Sequence, residues 1–552
     1  MSSKSLSTGP TSGLDTLERS IVDHVFRLQP GYAVFLGLHE YDGKVPDFSR
    51  AGTEEWTSGA EGLLHKLRAL PPAEATPQRQ LDRTLLELLL EGPLFDIKVS
   101  HDLERNPMSY VGSVSLTAYM VRNYAPAMDR AAAMTRTLDA IPKLLADGRR
   151  RLSATVPEPF VTLSLAMGSG LPTHFEEGES FVAANAPSEA SAFRKAREGA
   201  DLAVREFMAF LDAELKPKAT PDFALGAERF QRLLYVREGI TTPTAEILSK
   251  GWNDLHRNQA RLEKIAQPAN PSGTAAEQVS KLLSSLYLQH SSAEQLIPDA
   301  QKIVAETRAF VEANGIATIP PPDSCRVEET PSYGRALSTA SMNPPGPFDQ
   351  GDSEGIYYVT PVDPSWPKER QEEWLRSLNL PMLRNVTIHE VYPGHYLQFL
   401  HFRASTGSLA RKVYFSPSFT EGWAHYCEQL AIEVGWQNGS VEAEAAELHD
   451  ALLRDCRLIA SIMLHTQGWR VDQATQLFRE KAHFEQLPAE REAIRGTFNP
   501  EYFCYTLGKL AILEAREKLL DRRFAGSLKA FHDRLLSFGA PPVGVLTTLL
   551  ES

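Results

Sequence analysis

The stretch HEVYPGH, His389 to His395, places a histidine, a glutamate and a second histidine close together. Neutral imidazole nitrogens and a carboxylate suit the tetrahedral preference of zinc. In the common H-E-x-x-H arrangement the histidines stand four apart on one helical face, and the glutamate points at a metal-bound water. Here they stand six apart. At roughly 100° per residue, a straight helix would turn them about 240° from each other. Pro393 and Gly394 lie between them. A helix-interior proline loses a hydrogen bond and clashes with the carbonyl four back, that of His389. Glycine reaches backbone conformations closed to other residues. Together they predict a broken or widened helix that swings His395 back beside His389. A plain turn carrying two histidines is the alternative.

A second element strengthens the metal reading. Glu421, in TEGWAHYCEQL, follows His395 by 26 residues, and Trp423, Tyr426, Cys427 and Leu430 after it have helical spacing. A carboxylate from a second helix is a usual third zinc ligand, and Glu390 beside the first ligand suits a general base. An acidic residue near a helix N-terminus is also stabilised by the dipole, which accounts for Glu421 but not for the pairing. His401, His425, His449 and His483 are not read as ligands, although His425, four after Glu421, shares its face. A di-iron carboxylate site needs two Glu-x-x-His pairs; the spacing in EGWAH is four, and no second pair exists.

The elements that must position these groups are mostly helical. Leu14, Leu17, Ile21, Val25 and Leu28 form one apolar stripe, and similar periodicity runs through 79–92, 125–152, 189–215, 226–264, 274–314, 441–466 and 505–520. Pro/Gly-rich stretches at 71–77, 216–222, 267–273 and 343–355 read as loops rather than domain linkers. Residues 325–331 and 354–362, β-branched and aromatic and ending at prolines, predict two short strands just before HEVYPGH. An exposed strand there could pair with an extended substrate. Asp450, Arg454, Arg457, Ser461 and His465 make one polar stripe opposite Leu453, Leu458, Ile459, Ile462 and Met463; such stripes are usually solvated faces.

Of the 552 residues, 42% are hydrophobic and 23% charged, an ordinary globular balance. A net charge of −13 argues against non-specific nucleic-acid binding, which needs a basic footprint. The first 13 residues read as a disordered tail without the apolar run of a secretory signal. LLELLLEGPLF is too short and too charged to span a bilayer. Four scattered cysteines without a C-x-x-C pair fit reduced thiols in a cytoplasmic protein.

HEVYPGHYLQ, EGWAHYCE, RLIASIMLHTQGW, NPEYFCYTLGK and FHDRLLSFGAPP, with PGYAVFLGLHEYDGKVPDFS and PDFALGAERFQRLL earlier, resemble the domain of unknown function family 885 over nearly the whole chain. These are zincin-like bacterial proteins allied to helical metallopeptidases. The resemblance implies a mainly α-helical zincin-like body around a cleft, with a small β-hairpin or short sheet beside the zinc helix. It implies one zinc ion held by His389, His395 and Glu421, with Glu390 catalytic. Tyr505, in the Y-x-x-G helix, would then donate to the oxyanion. Arg457 and His465 fall near the site, where an arginine could hold a substrate carboxylate in a bidentate fork. Arg454, Arg495 and Gln398 are further candidates for substrate contact, and His465 a further candidate for catalysis. Three positions depart from the family pattern: Ser461 replaces an aspartate, Glu501 a glutamine and Thr506 a lysine.

The expectation is one helical domain over 14–552, with lobes of about 14–320 and 321–552. Its expected activity is zinc-dependent hydrolysis of a peptide or amide bond in small substrates, by carboxypeptidase- or dipeptidase-like action. A metal-dependent amidase acting on a non-peptide conjugate, and a non-catalytic helical scaffold, are the alternatives. No nucleic-acid or membrane partner is expected, and a homodimer is compatible with the sequence.

Overall fold

The computed structural model describes residues 13–71, 76–331, 335, 338–349 and 354–551. The expected disordered tail therefore lies outside the described residues, apart from Gly13, which opens the first helix. The chain divides into two compact units: residues up to Asp222 with Thr406–Tyr414, and Phe223–Ser405 with Phe415–Glu551. The break follows the Pro-containing stretch 216–222, which reads in sequence as an ordinary loop, and comes well before the lobe boundary expected near 320.

The first unit is helical. In α1 (Gly13–Leu28) the apolar stripe buries Leu14, Ile21 and Val25. Farther on, α2 (Ala127–Arg151), α3 (Glu158–Asn185) and α4 (Ala190–Phe210) pack on one another. The returning segment 406–414 is tied in by Arg411, whose Nε donates to Asp82 Oδ1 at 2.7 Å.

The second unit contains every residue proposed for the site. The expected helix 226–264 is two helices, α5 (Ala227–Glu238) and α6 (Thr244–Ala266). Gly239, at φ 64°, takes the left-handed conformation that ends α5. The expected helix 441–466 is α10 (Val441–Thr466), capped by Ser440 accepting from Ala443 N. It packs along α6.

Both expected strands form, but not as a hairpin. β1 (Cys325–Glu329) runs parallel to β3 (Gly355–Val359), and β2 (Ala340–Asn343), which the sequence reading missed, pairs antiparallel on the other edge, giving the order β1-β3-β2. β3 is buried along its whole length, as a central strand must be. β2 is short and only partly apolar, which hides it from a pattern search.

Among the described residues no helix is long and apolar enough to cross a membrane. All four cysteines are free thiols, three of them buried.

Candidate metal centre

The first two ligand candidates sit on either side of a helix break. α7 (Leu380–Glu390) starts at the Asn379 cap, whose side chain accepts from Met382 N, and stops at Glu390. α8 (His395–Ala404) starts five residues later. The Tyr392–Pro393 peptide is cis. Gly394 is required by space rather than by φ, which is −72°. A Cβ there would run into the carbonyl oxygens of Ile388 and His389. The chain thus doubles back tightly enough for Gly394 N to donate to Ile388 O at 3.0 Å. The break is held from the third element, α9 (Pro417–Val434), where Trp423 Nε1 donates to Pro393 O at 2.9 Å.

The broken helix brings the two imidazoles edge to face, with ring centroids 4.7 Å apart and planes at 84°. Glu421 Oε2 lies 3.4 Å from His389 Nε2 and 3.5 Å from His395 Nε2. The ligand atoms of the three residues all lie within 4.8 Å of one another. A tetrahedral zinc with bonds of about 2.0–2.1 Å separates its ligand atoms by roughly 3.3–3.5 Å, the spacing at which Glu421 stands from each imidazole. Side-chain exposures of 8%, 12% and 29% for His389, His395 and Glu421 leave the cluster open on the carboxylate side. Burial would raise Glu421, but hydrogen bonds from both imidazoles hold it well below the usual carboxylate range. Burial would lower His389, yet hydrogen bonding to Glu421 and Glu428 raises it to about 9.

Burial pushes the Glu390 carboxyl up, despite the nearby imidazoles and the backbone N–H of Met342 in β2, which favour its charged form. β2 thus packs against α7 beside the candidate general base. Tyr505 comes from α12 (Cys504–Phe524), its ring centroid 6.4 Å from that of His389. Burial, then the charge of Glu421, raises its phenol to about 12, so it remains a donor at neutral pH. α9 and α12 cross almost backbone to backbone at Gly422 and Gly508. A Cβ on Gly422 would meet Gly508, and one on Gly508 would meet the Ser418 carbonyl. The glycines of E-G-W and Y-x-x-G therefore share one crossing.

Against this geometry the family assignment can be read. A model of the family described as "Bacterial protein of unknown function (DUF885)" matches residues 30–550. The chain belongs to this family. No curated protein matches the sequence. A solved structure from Shewanella oneidensis, provisionally described as a lipoprotein of unknown function, is similar at 25% identity and a TM-score of 0.81, covering 98% of this chain and 100% of its own. One from Colwellia psychrerythraea, also provisionally described as a lipoprotein, has the same TM-score at 17% identity and covers 98% of both chains.

The remaining site candidates of this DUF885 chain divide sharply. Arg457 is clamped by Glu492 through Nε at 2.7 Å and Nη2 at 2.8 Å, and its guanidinium lies 5.1 Å from the Tyr505 centroid. Arg454 is buried and donates to Glu428 at 2.6 Å. Both arginines touch the site, and their guanidinium groups are engaged by the protein carboxylates Glu428 and Glu492. His465 uses both ring nitrogens on backbone: Nε2 donates to Gly496 O at 2.8 Å and Nδ1 accepts from Leu225 N at 3.3 Å. It ties segments together and has no nitrogen left for catalysis. Arg495, half-buried on α11 (Gln486–Phe498), has no hydrogen-bond partner among the described residues, and its charge is felt at Tyr505. Gln398 donates weakly to Thr420, next to Glu421, at 3.4 Å.

The three departures from the family pattern have local partners. Ser461 donates to Pro500 O at 2.6 Å, Glu501 pairs with Arg237 at 2.9 Å, and Thr506 donates to Asp455 at 3.0 Å. Sequence reading passed over Trp423 as a contact and Glu428 altogether. The signal for Glu428 was available: it lies seven residues after Glu421, two turns along the same face.

Proposed function

We propose that this chain is a zinc-dependent hydrolase of zincin-like type, cleaving a peptide or amide bond in small substrates. One observation carries the reading: two imidazoles and a carboxylate from three separate helices converge within 4.8 Å of one another, with Glu390 adjacent to the first in the chain. A divalent ion held by His389, His395 and Glu421 would supply Lewis acidity and lower the pKa of a bound water towards about 7.

The chain's own groups would do the rest. Glu390, its carboxyl raised by burial, takes the water's proton and hands it to the leaving amine. Tyr505, protonated at neutral pH, donates to the developing oxyanion. Arg495 is the cation near Tyr505 that remains available to a substrate carboxylate, which favours carboxypeptidase- or dipeptidase-like action. An extended substrate would lie along β2 next to Glu390. We keep the cytoplasmic placement as part of the proposal; the lipoprotein descriptions belong to the two structural neighbours.

A structural zinc would need four protein ligands, and the cluster offers three among the described residues. That favours a hydrolase over a scaffold. Elemental analysis of the purified protein, with peptide and acyl-amine panels assayed with and without chelator, tests the reading. Zinc near one equivalent and chelator-sensitive cleavage are expected, and Glu390→Gln should keep the metal and lose turnover. An unchanged rate in that variant removes Glu390 from its role. Cleavage confined to non-peptide conjugates makes the protein an amidase.

A further inference from the structure

His389 is backed by a chain of buried groups that the metal reading does not require. Its Nδ1 lies 2.5 Å from Glu428 Oε1. The other oxygen of Glu428 accepts from Arg454 Nη1 at 2.6 Å and from Asn385 Nδ2 at 3.3 Å, and Asn385 also donates to Asp450 at 2.9 Å. Glu428 is fully buried and Arg454 nearly so. The Arg454 guanidinium also lies over the Tyr505 ring, 5.6 Å from its centroid.

The donor and acceptor roles follow from chemistry. A guanidinium has no acceptor and a carboxylate has no proton to give, so the short His389–Glu428 contact requires Nδ1–H as donor. In the neutral ring that binds a metal, this leaves the lone pair on Nε2, the atom facing Glu421 and His395. We infer that Glu428 and Arg454 are a positioning couple: the carboxylate fixes the tautomer and angle of His389, and the guanidinium holds that carboxylate and the Tyr505 ring as one piece. Arg454 then acts through its neighbours rather than by touching substrate. Outer partners of this kind set metal affinity by roughly 10–100-fold.

The inference rests on the metal reading, and its test separates the two. Full-length wild type, Glu428→Gln, Glu428→Asp, Arg454→Lys and Arg454→Met are compared for zinc affinity by chelator competition, for the visible spectrum of the cobalt-substituted protein, and for thermal midpoint. Glu433→Gln, an ion-paired residue farther along α9, is the control. Glu428→Gln is expected to lose about 10–100-fold in zinc affinity with a shifted cobalt spectrum. Glu428→Asp should recover part of that loss, and Glu433→Gln should stay within about twofold. Should Glu428→Gln not fold, Arg454→Lys carries the test, because it keeps the charge and loses the fork; a shifted cobalt spectrum supports the couple. Tight zinc binding in wild type with unchanged affinity and spectrum in the Glu428 and Arg454 variants overturns the inference and spares the metal reading. Absence of zinc binding in wild type overturns both.

Discussion

His389 and His395 offer the same ring atom to the same point, yet they are supported in opposite ways. Behind His389 stand Glu428, Arg454, Asn385 and Asp450, joined by short hydrogen bonds. His395 Nδ1 is buried with no hydrogen-bond partner among the described residues, and so is Gln398 Oε1, one turn along α8. The first imidazole is fixed by side chains. The second is fixed by backbone, through the doubled-back chain at Gly394 and the Trp423 bond to Pro393. A site built this way should respond to side-chain changes on one side and to backbone changes on the other.

The contrast can be broken most severely by removing a ligand. Glu421→Ala should reduce zinc affinity more than the roughly 10–100-fold expected for an outer partner, read by chelator competition. Retention of one equivalent of tightly held zinc would be fatal to the three-donor cluster.

On the backbone-held side, Gly394→Ala forces a Cβ into two carbonyl oxygens that cannot step aside cheaply. Denaturant unfolding should show a loss of at least about 1–3 kcal/mol, with weakened metal binding. A stable, metal-loaded Gly394→Ala protein would mean the doubled-back chain is more tolerant than its geometry allows.

The buried charge behind His389 extends to Glu447, whose two oxygens lack hydrogen-bond partners among the described residues. Burial raises its carboxyl to about 7 from 4.5, with Arg261 and Lys509 opposing the shift and Glu428 and Glu444 adding to it. As pH climbs, the unfolded chain gives up this proton first. The stability that protonated Glu447 contributes is complete below pH 4.5 and lost as pH rises to about 7. Glu447→Gln cannot titrate, so at pH 8 it should be more stable than wild type by on the order of 1–3 kcal/mol, and at pH 4 nearly equal to it. Equal stabilities at pH 8 would refute the assignment.

The smallest effect is expected at Gln398. Its amide oxygen has no partner to lose, so Gln398→Leu should change stability by less than about 1 kcal/mol and zinc affinity by no more than about threefold. A larger loss would show that the His395 side does have side-chain support.

Much of this was legible in the sequence because the decisive residues are chemically unusual for their places. Pro393 and Gly394 between two histidines announce a break, and Glu421 with a helical apolar pattern announces a second element. What stayed hidden depends on distance rather than spacing. The stripe on α10 shows that Arg454 and Arg457 share a face, but not that Glu428 and Glu492 stand opposite to take their forks. It also cannot show that His465 meets two backbone groups. The segments that became β1 and β3 carry strand propensity but nothing that selects parallel pairing, and only β2 on the far edge of β3 shows how the sheet reaches Glu390. Gly239 and Pro243 split the expected helix 226–264, a boundary that apolar periodicity runs straight across.

Because Gly422 and Gly508 meet main chain to main chain, the spacing between the Glu421 carboxylate and the Tyr505 phenol is set by backbone contact at that crossing. Relatives could exchange many of the surrounding apolar residues and keep the two groups in step. A single added methyl at either glycine would act as a wedge against main chain, lowering the thermal midpoint as it pushes the Glu421 carboxylate and the Tyr505 phenol apart.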